Sequence, residues 1–468
     1  MTAVGFLIVL VAAGFLLFGE DAAYGPNQVA LCLAATLAAG LAWKNGHSWV
    51  KIREAVVAGI ASALQAVFIL FAVGALIGTW AMSGTLVAMV YYAMGVLSPN
   101  FFYLTACAVS ALVALSIGSS WTVAGTIGVG LMGIAEQMDL SPAITAGAVI
   151  SGAYFGDKAS PLSDTCNLAA ASAGSELFEH IRYSLLTSAP ALILALVGFG
   201  LLGSPGHFDA NATRAAIAAR FDVTPWAFAP VLVVFGLSIA RAPAYVAIIL
   251  GALAGGVSAV LLQPALVTQL AGEPHLPHAV QLLKGVWQAL ASGFKYESGD
   301  SSLDTLLSRG GMESMLNTIW LIIVALAFGS VLEHAGMLER LVAPLLSRAR
   351  STMQLVATVV ASAIGLNVIA GDQYIAIVLP GRTFRNEFAL RGLRPVLLSR
   401  SLGDSATVTS PLVPWNSCGA FMAATLGVAT FAYLPFAFFN LLNPVAAIVA
   451  AAFVSRGMAK PDALLATR

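Results

Sequence analysis

GDKASPLSDTC at residues 156–166 and GDSATVTSPLVPWNSC at residues 403–418 decide the architecture of this 468-residue chain. Both segments open on Gly-Asp, carry Ser-Pro-Leu, end on Cys and interrupt long apolar runs. Proline removes a backbone donor and disrupts the turn before it, so Pro161, Pro411 and Pro414 break the helices around them. Irregular backbone at membrane depth is tolerated only where it is buried in protein or lines a wet cavity. Two broken segments meeting near the midplane would aim freed carbonyls, hydroxyls and carboxylates at one point.

The surroundings are those of a membrane. Apolar residues make up 59% of the chain, charged residues 9%, and the mean hydropathy is +0.89. Soluble domains carry roughly 25% charged residues, so a water-facing surface cannot be built. Lys+Arg and Asp+Glu balance at 22 each, which removes the basic excess of a nucleic-acid binder. The expectation is an all-α polytopic membrane protein with about 11–13 transmembrane helices, some discontinuous, each span needing about 20 apolar residues. The start MTAVGFLIVL has no basic n-region, so it reads as a retained span rather than a cleaved signal.

The two broken segments belong to a longer repeat. ILFAVGALIGTWAMSGTL at 69–86 resembles LIIVALAFGSVLEHAGML at 321–338, about 252 residues on. LSIGSSWTVAG at 115–125 matches ASAIGLNVIAGD at 361–372 around an Ile-Gly pair. One transport domain thus holds repeat A at 55–200 and repeat B at 314–455. Extra spans occupy 1–54, and connecting spans with an interfacial helix lie in 201–313. In that helix Leu283, Val286, Trp287, Leu290 and Phe294 recur at helical spacing. The turn Glu136–Asp139 is acidic, whereas its counterpart carries Arg382, Arg385, Arg391 and Arg394. Under the positive-inside rule they face opposite sides, so the repeats are inverted, the plan of many secondary transporters. Basic residues in the loop Lys44–Arg53 and in the tail (Arg456, Lys460, Arg468) place both termini in the cytoplasm; the Glu20–Asp21 loop reads external.

An ionisable side chain inside the bilayer is a functional candidate by default. Four carboxylates qualify: Asp157, Asp164, Asp372 and Asp404. Asp157 and Asp404 share the Gly-Asp position of the two motifs, and Asp164 falls opposite Asn416, with Thr165 opposite Ser417. Ser163, Asn167 and Ser410 add neutral oxygens. The set suits a hard cation such as sodium, centred on Asp164, Thr165, Asn416 and Ser417. A raised carboxylate pKa would let a proton and sodium compete for one acid. Lys158 reads two ways, as a charge partner for an acid or as a side chain snorkelling to the headgroups.

GSSWTVAGTIGV, GAYFGDKASPLSDTCNLA, GDQYIAIVLPGR and LSRSLGDSATVTSPLVPWNSCGAF resemble the NhaC-type sodium/proton antiporters, over residues 50–450. The resemblance implies a secondary antiporter of the bacterial inner membrane, with the polar motif positions as its site. The same family contains malate/lactate and amino-acid exchangers, so an organic anion or amino acid exchanged against H+ or Na+ is the alternative. No cofactor is expected beyond the transported ions, no partner beyond lipid, and a homodimer is compatible with the reading. Enzyme classes find no support: the spans carry no HExxH and no Ser/His pairing. The string GVGLMG at 128–133 spells GxGxxG without a preceding strand, so helix packing accounts for it better than a dinucleotide.

Overall fold

The structure, a computed structural model, describes residues 2–18, 25–95, 97–203, 223–296, 307–346 and 349–454, with Arg214, Ile217, Ala218 and Asp304. The Glu20–Asp21 loop and the basic tail lie outside the described residues. The chain is all-α. Helices α1 (Thr2–Phe18), α2 (Pro26–Lys44) and α3 (Trp49–Ser62) precede repeat A. Repeat A holds α4 (Leu64–Met82), α5 (Thr85–Ala93), α6 (Phe102–Ile117), α7 (Ser120–Val123), a π turn (Ala124–Gly128), α8 (Val129–Gln137), α9 (Pro142–Ala159), α10 (Asp164–Ala173) and α11 (Leu177–Leu202). The connecting helices are α12 (Ala229–Ile239), α13 (Ala244–Leu262), α14 (Pro264–Ala271) and α15 (His278–Ser292). Repeat B holds α16 (Leu316–His334), α17 (Met337–Leu346), α18 (Thr352–Ala370), α19 (Gln373–Leu390), α20 (Pro395–Leu402), a π turn (Gly403–Thr407), α21 (Ser417–Leu426), α22 (Thr430–Tyr433) and α23 (Phe438–Val454).

Among the described residues seven helices are long and apolar enough to cross a membrane, or eight if the bent pair 417–436 is one span. The larger number expected from hydropathy includes shorter apolar helices, at Thr2–Phe18, Pro225–Ile239 and Phe438–Ala452.

Helix α11, about 39 Å long at 1.5 Å per residue, serves as a ruler for the inversion. At its start Glu179 pairs with Arg394, and Arg394 also donates to the Tyr183 hydroxyl at 2.6 Å. At its end a Cβ on Gly203 would lie 1.7 Å from the Asn100 carbonyl. The α6 helix begins there, and the Ser141 amide donates to the Tyr103 hydroxyl at 2.9 Å, so α9 begins there too. The pair runs inward in parallel, Gly152 against Cys107 and Ala111, Gly156 against Ala111 and Leu115. Only residues 138–141 separate α8 from α9, so α8 returns to the end from which α6 entered. This makes α6–α8 a re-entrant hairpin. Its counterpart, α18–α19, opens beside Arg391, which donates to the Ala349 carbonyl at 2.7 Å, next to the Arg394 end of α11. The two hairpins enter from opposite ends, as inverted repeats must.

From Gly118 and Gly371 onward the repeats align without a gap. Gly118 and Gly371 are left-handed caps (φ 77° and 66°), Pro142 and Pro395 start helices, Ser163 and Asn416 are N-caps, and Gly174 and Gly427 end helices. Each pair is offset by 253 residues (371 minus 118, 416 minus 163). This register corrects three pairings made from short motifs, one of them by a single residue: Asp164 corresponds to Ser417, not Asn416, and Thr165 to Cys418. Gly118 corresponds to Gly371, not to the glycine of the earlier Ile-Gly pair, Gly365. Asp157 corresponds to Ser410, and Asp404 to Ser151, so the two Gly-Asp motifs are not equivalent.

The interfacial helix α15 packs differently from its apolar stripe. Its buried positions are Gly285 and Ala289, while Leu283 and Trp287 are exposed.

Candidate functional site

Four helix starts converge where the hairpins meet the broken segments. Each is capped by its own side chain: Ser119 accepts from the Thr122 amide (3.2 Å), Ser163 from Cys166 (3.3 Å), Asp372 from Ile375 (2.9 Å) and Asn416 from Cys418 (3.0 Å). Ser119 and Asp372 occupy equivalent positions, as do Ser163 and Asn416. Short polar side chains at N-caps satisfy backbone donors that a helix start leaves open. The caps tie each hairpin tip to the break of its own repeat. A Cβ on Gly118 would come within 2.9 Å of Leu162 and Ser163, and the Ser417 amide donates to the Gly371 carbonyl at 3.0 Å.

A cavity of about 440 Å³ opens between these starts. Asp157, Asp164 and Asp372 line it, with Ser120, Thr165 and Ser417. Asp157 is buried, and hydroxyl donors hold it on both oxygens: Ser120 at 2.6 Å and Ser163 at 2.5 Å, with the Ser120 amide at 3.3 Å. Asp164 is exposed to the cavity. One of its oxygens caps the Thr165 amide (2.8 Å) and the other accepts from the Tyr374 hydroxyl at 2.5 Å. That bond joins repeat A to repeat B, as does the stacking of Trp121 on Phe421, ring centres 4.0 Å apart. Arg241, in a left-handed conformation at φ 62°, lines the same cavity from the α12–α13 connection.

Other expected site residues turn elsewhere. The Asn416 amide group reaches Asn367 (3.2 Å). Asn167 donates to the Ser163 carbonyl at 2.7 Å, and Ser410 donates to the Thr407 carbonyl at 2.8 Å. Neither Asn167 nor Ser410 lines the cavity. Asp404 lies apart with Lys158, which settles the two readings of that lysine: it is buried and ion-paired, not snorkelling. Among the described residues no three His, Cys, Asp or Glu side chains close on one point. The cavity acids are thus spread over its wall, with serine and threonine oxygens between them. Ser120, Trp121 and Tyr374 join the residues named one by one; they lie within GSSWTVAGTIGV and GDQYIAIVLPGR. Ser120 follows the helix-ending Gly118 by two residues, and Tyr374 follows Asp372 by two; a polar group just after a helix break was the available signal.

Two inverted repeats of broken helices, enclosing an acid-lined cavity where they cross, define a secondary transporter. The chain belongs to the Na+/H+ antiporter family, whose model matches residues 152–454. It is 35% identical to the Na+/H+ antiporter NhaC of Alkalihalophilus pseudofirmus, covering 86% of this chain and 84% of that protein. It is 34% identical to the NhaC of Bacillus subtilis over 95% and 94% of the two chains. It is also 31% identical to the malate-2H+/Na+-lactate antiporter of Bacillus subtilis, over 91% and 88%. It is a multi-pass antiporter of this family.

Proposed function

We propose that the protein exchanges Na+ for H+ across the bacterial inner membrane, with both termini cytoplasmic, through carboxylates that bind either ion. The observation that carries this reading is the convergence of Asp157, Asp164 and Asp372 on one cavity at the crossing of the repeats. Sodium takes oxygen ligands, and the wall offers carboxylates beside Ser120, Thr165 and Ser417. Asp164 faces the cavity openly and is the acid where exchange of ion for proton meets least obstruction. Asp157 lies behind it, held by the Ser120 and Ser163 hydroxyls. Proton and sodium exclude each other on one carboxylate, and that exclusion is what couples the two fluxes. The similarity to NhaC proteins supports the same reading.

The test is purified protein in liposomes with a pH dye inside, challenged with a sodium step. Sodium-driven alkalinisation or acidification should be present in the wild type and absent in Asp164→Asn. A second reading, exchange of a small organic anion, is favoured by the cavity volume, far above what one bare ion fills, and by Arg241 on its wall. Guanidinium groups pair well with carboxylates. A panel of malate, lactate and amino acids in the same liposomes separates the readings: a response requiring an organic solute selects the second.

A further inference from the structure

A second group of charges lies behind the cavity. Lys158, Asp404 and Arg400 are each 1% exposed or less. Lys158 is ion-paired to Asp404 and donates to the Ser188 hydroxyl at 2.6 Å. Asp404 also accepts from Thr187 (3.0 Å) and the Asn443 amide group (2.9 Å). Arg400 approaches Asp404 at 3.6 Å, yet none of its three guanidinium nitrogens has a hydrogen-bond partner among the described residues. His180 borders the group and bonds to the Ser399 hydroxyl at 3.1 Å. Thr187 and Ser188 sit ten and eleven residues into α11, so the group lies roughly 15 Å from one end of that ruler and over 20 Å from the other. Two cations and one acid leave a net charge of +1 at mid-depth.

A net buried charge is costly, and nothing within the group offsets it. The residue before Lys158 in the chain is an acid. Asp157 and Lys158 adjoin on α9, and the Cys166 thiol contacts the carbonyl oxygens of both, at 3.4 and 2.8 Å. Among the described residues Asp157 itself receives neutral donors, from Ser120, Ser163 and Thr165.

We propose that the Lys158–Asp404–Arg400 group is a fixed countercharge to the cavity carboxylates, one that travels with them and sets how the membrane potential acts on each half of the cycle. This rests on the cation-exchange reading above. With the countercharge behind them, the cavity acids carry one net negative charge fewer in the sodium-loaded and in the proton-loaded half of the cycle alike. The group supplies this offset without itself gaining or losing an ion.

Charge arithmetic supplies the test. Lys158→Gln makes the moving unit one charge more negative, with Arg400 left to pair Asp404. Asp404→Asn makes it one charge more positive. The double variant keeps only Arg400 and returns to +1. One charge carried through a physiological potential biases the two-sided distribution by roughly 50-fold, and a rate by about sevenfold if the barrier is midway. Sodium-driven proton flux is measured in liposomes with and without a potassium–valinomycin potential, inside negative. The ratio of the two rates should shift by severalfold in opposite directions in the single variants and return to the wild-type ratio in the double. If Asp404→Asn does not fold, Lys158→Gln should still shift the ratio and the double variant restore it. Unmoved ratios, single variants shifting the same way, or a double variant that fails to restore would each overturn the proposal while leaving sodium/proton exchange intact. A wild type without sodium-coupled proton flux would remove the exchange reading instead, and the proposal with it.

Discussion

Gly156→Ala ties helix packing to ion binding in one substitution. A Cβ at Gly156 would lie 2.4 Å from the Leu115 amide nitrogen and from the Ala114 methyl, and 2.6 Å from the Ala111 carbonyl. Two of these three neighbours are backbone, so no rotamer change relieves the clash and α9 must withdraw from α6. Ordinary contact begins near 3.4 Å, which requires a shift of about 1 Å, and overpacking of this kind costs about 1–3 kcal/mol. Asp157 follows on α9, while Ser120 sits just past the end of α6. The same shift would stretch the 2.6 Å bond between them past hydrogen-bonding range. A hydrogen bond to a charged group contributes about 1.5–3 kcal/mol, so half-saturating sodium should rise roughly 10- to 100-fold, at about 1.4 kcal/mol per decade. The assay is sodium titration of proton flux in liposomes, alongside thermal unfolding in detergent. Gly40→Ala is the control, because nothing lies within 4 Å of a Cβ there; its stability should stay level or rise by up to about 1 kcal/mol. Wild-type sodium affinity in Gly156→Ala would refute the link between this helix contact and the cavity.

Tyr374→Phe removes the hydroxyl that bonds Asp164 at 2.5 Å; sodium affinity should change by about tenfold in titrations of proton flux, with expression unaffected. Competition on one carboxylate fixes a pH law: half-saturating sodium should rise about tenfold for each pH unit below the site pKa and level off above it. Measured from about pH 5 to 9, a flat profile would rule the shared acid out. Cysteines at Gln137 and Asn386 should react with an impermeant thiol reagent from outside and inside respectively; labelling from one side would contradict the opposed hairpins.

Much of this fold is legible before any coordinates. Proline among serines and threonines inside apolar runs marks Pro161 and Pro411 as breaks, and the loop charges separate Glu136 from Arg394 across the bilayer. Register is where motif reading went astray. Aligning the Gly-Asp and Ser-Pro-Leu strings required an insertion between them, whereas the folded repeats preserve helix length, 21 residues from Pro142 to Ser163 and from Pro395 to Asn416. Asp404 consequently sits six residues, about 9 Å of helix, from the point matching Asp157. That separates it from the cavity and gives it to Lys158. Ser120 and Tyr374 do not stand out singly within their motifs for another reason: a hydroxyl in an apolar run ordinarily bonds its own helix backbone, and only the cross-chain geometry shows otherwise.

The backbone of this molecule obeys a dyad that its side chains violate. Where one half places Asp157 the other has Ser410, and where one places Asp404 the other has Ser151. A molecule obeying the dyad in full would look the same from both compartments and load its ion equally well from either. Here the two faces cannot be energetic mirror images. Half-saturating sodium measured from the two sides of an oriented membrane should therefore differ even at equal pH and zero potential, giving the exchanger a built-in kinetic polarity that leaves its equilibrium untouched.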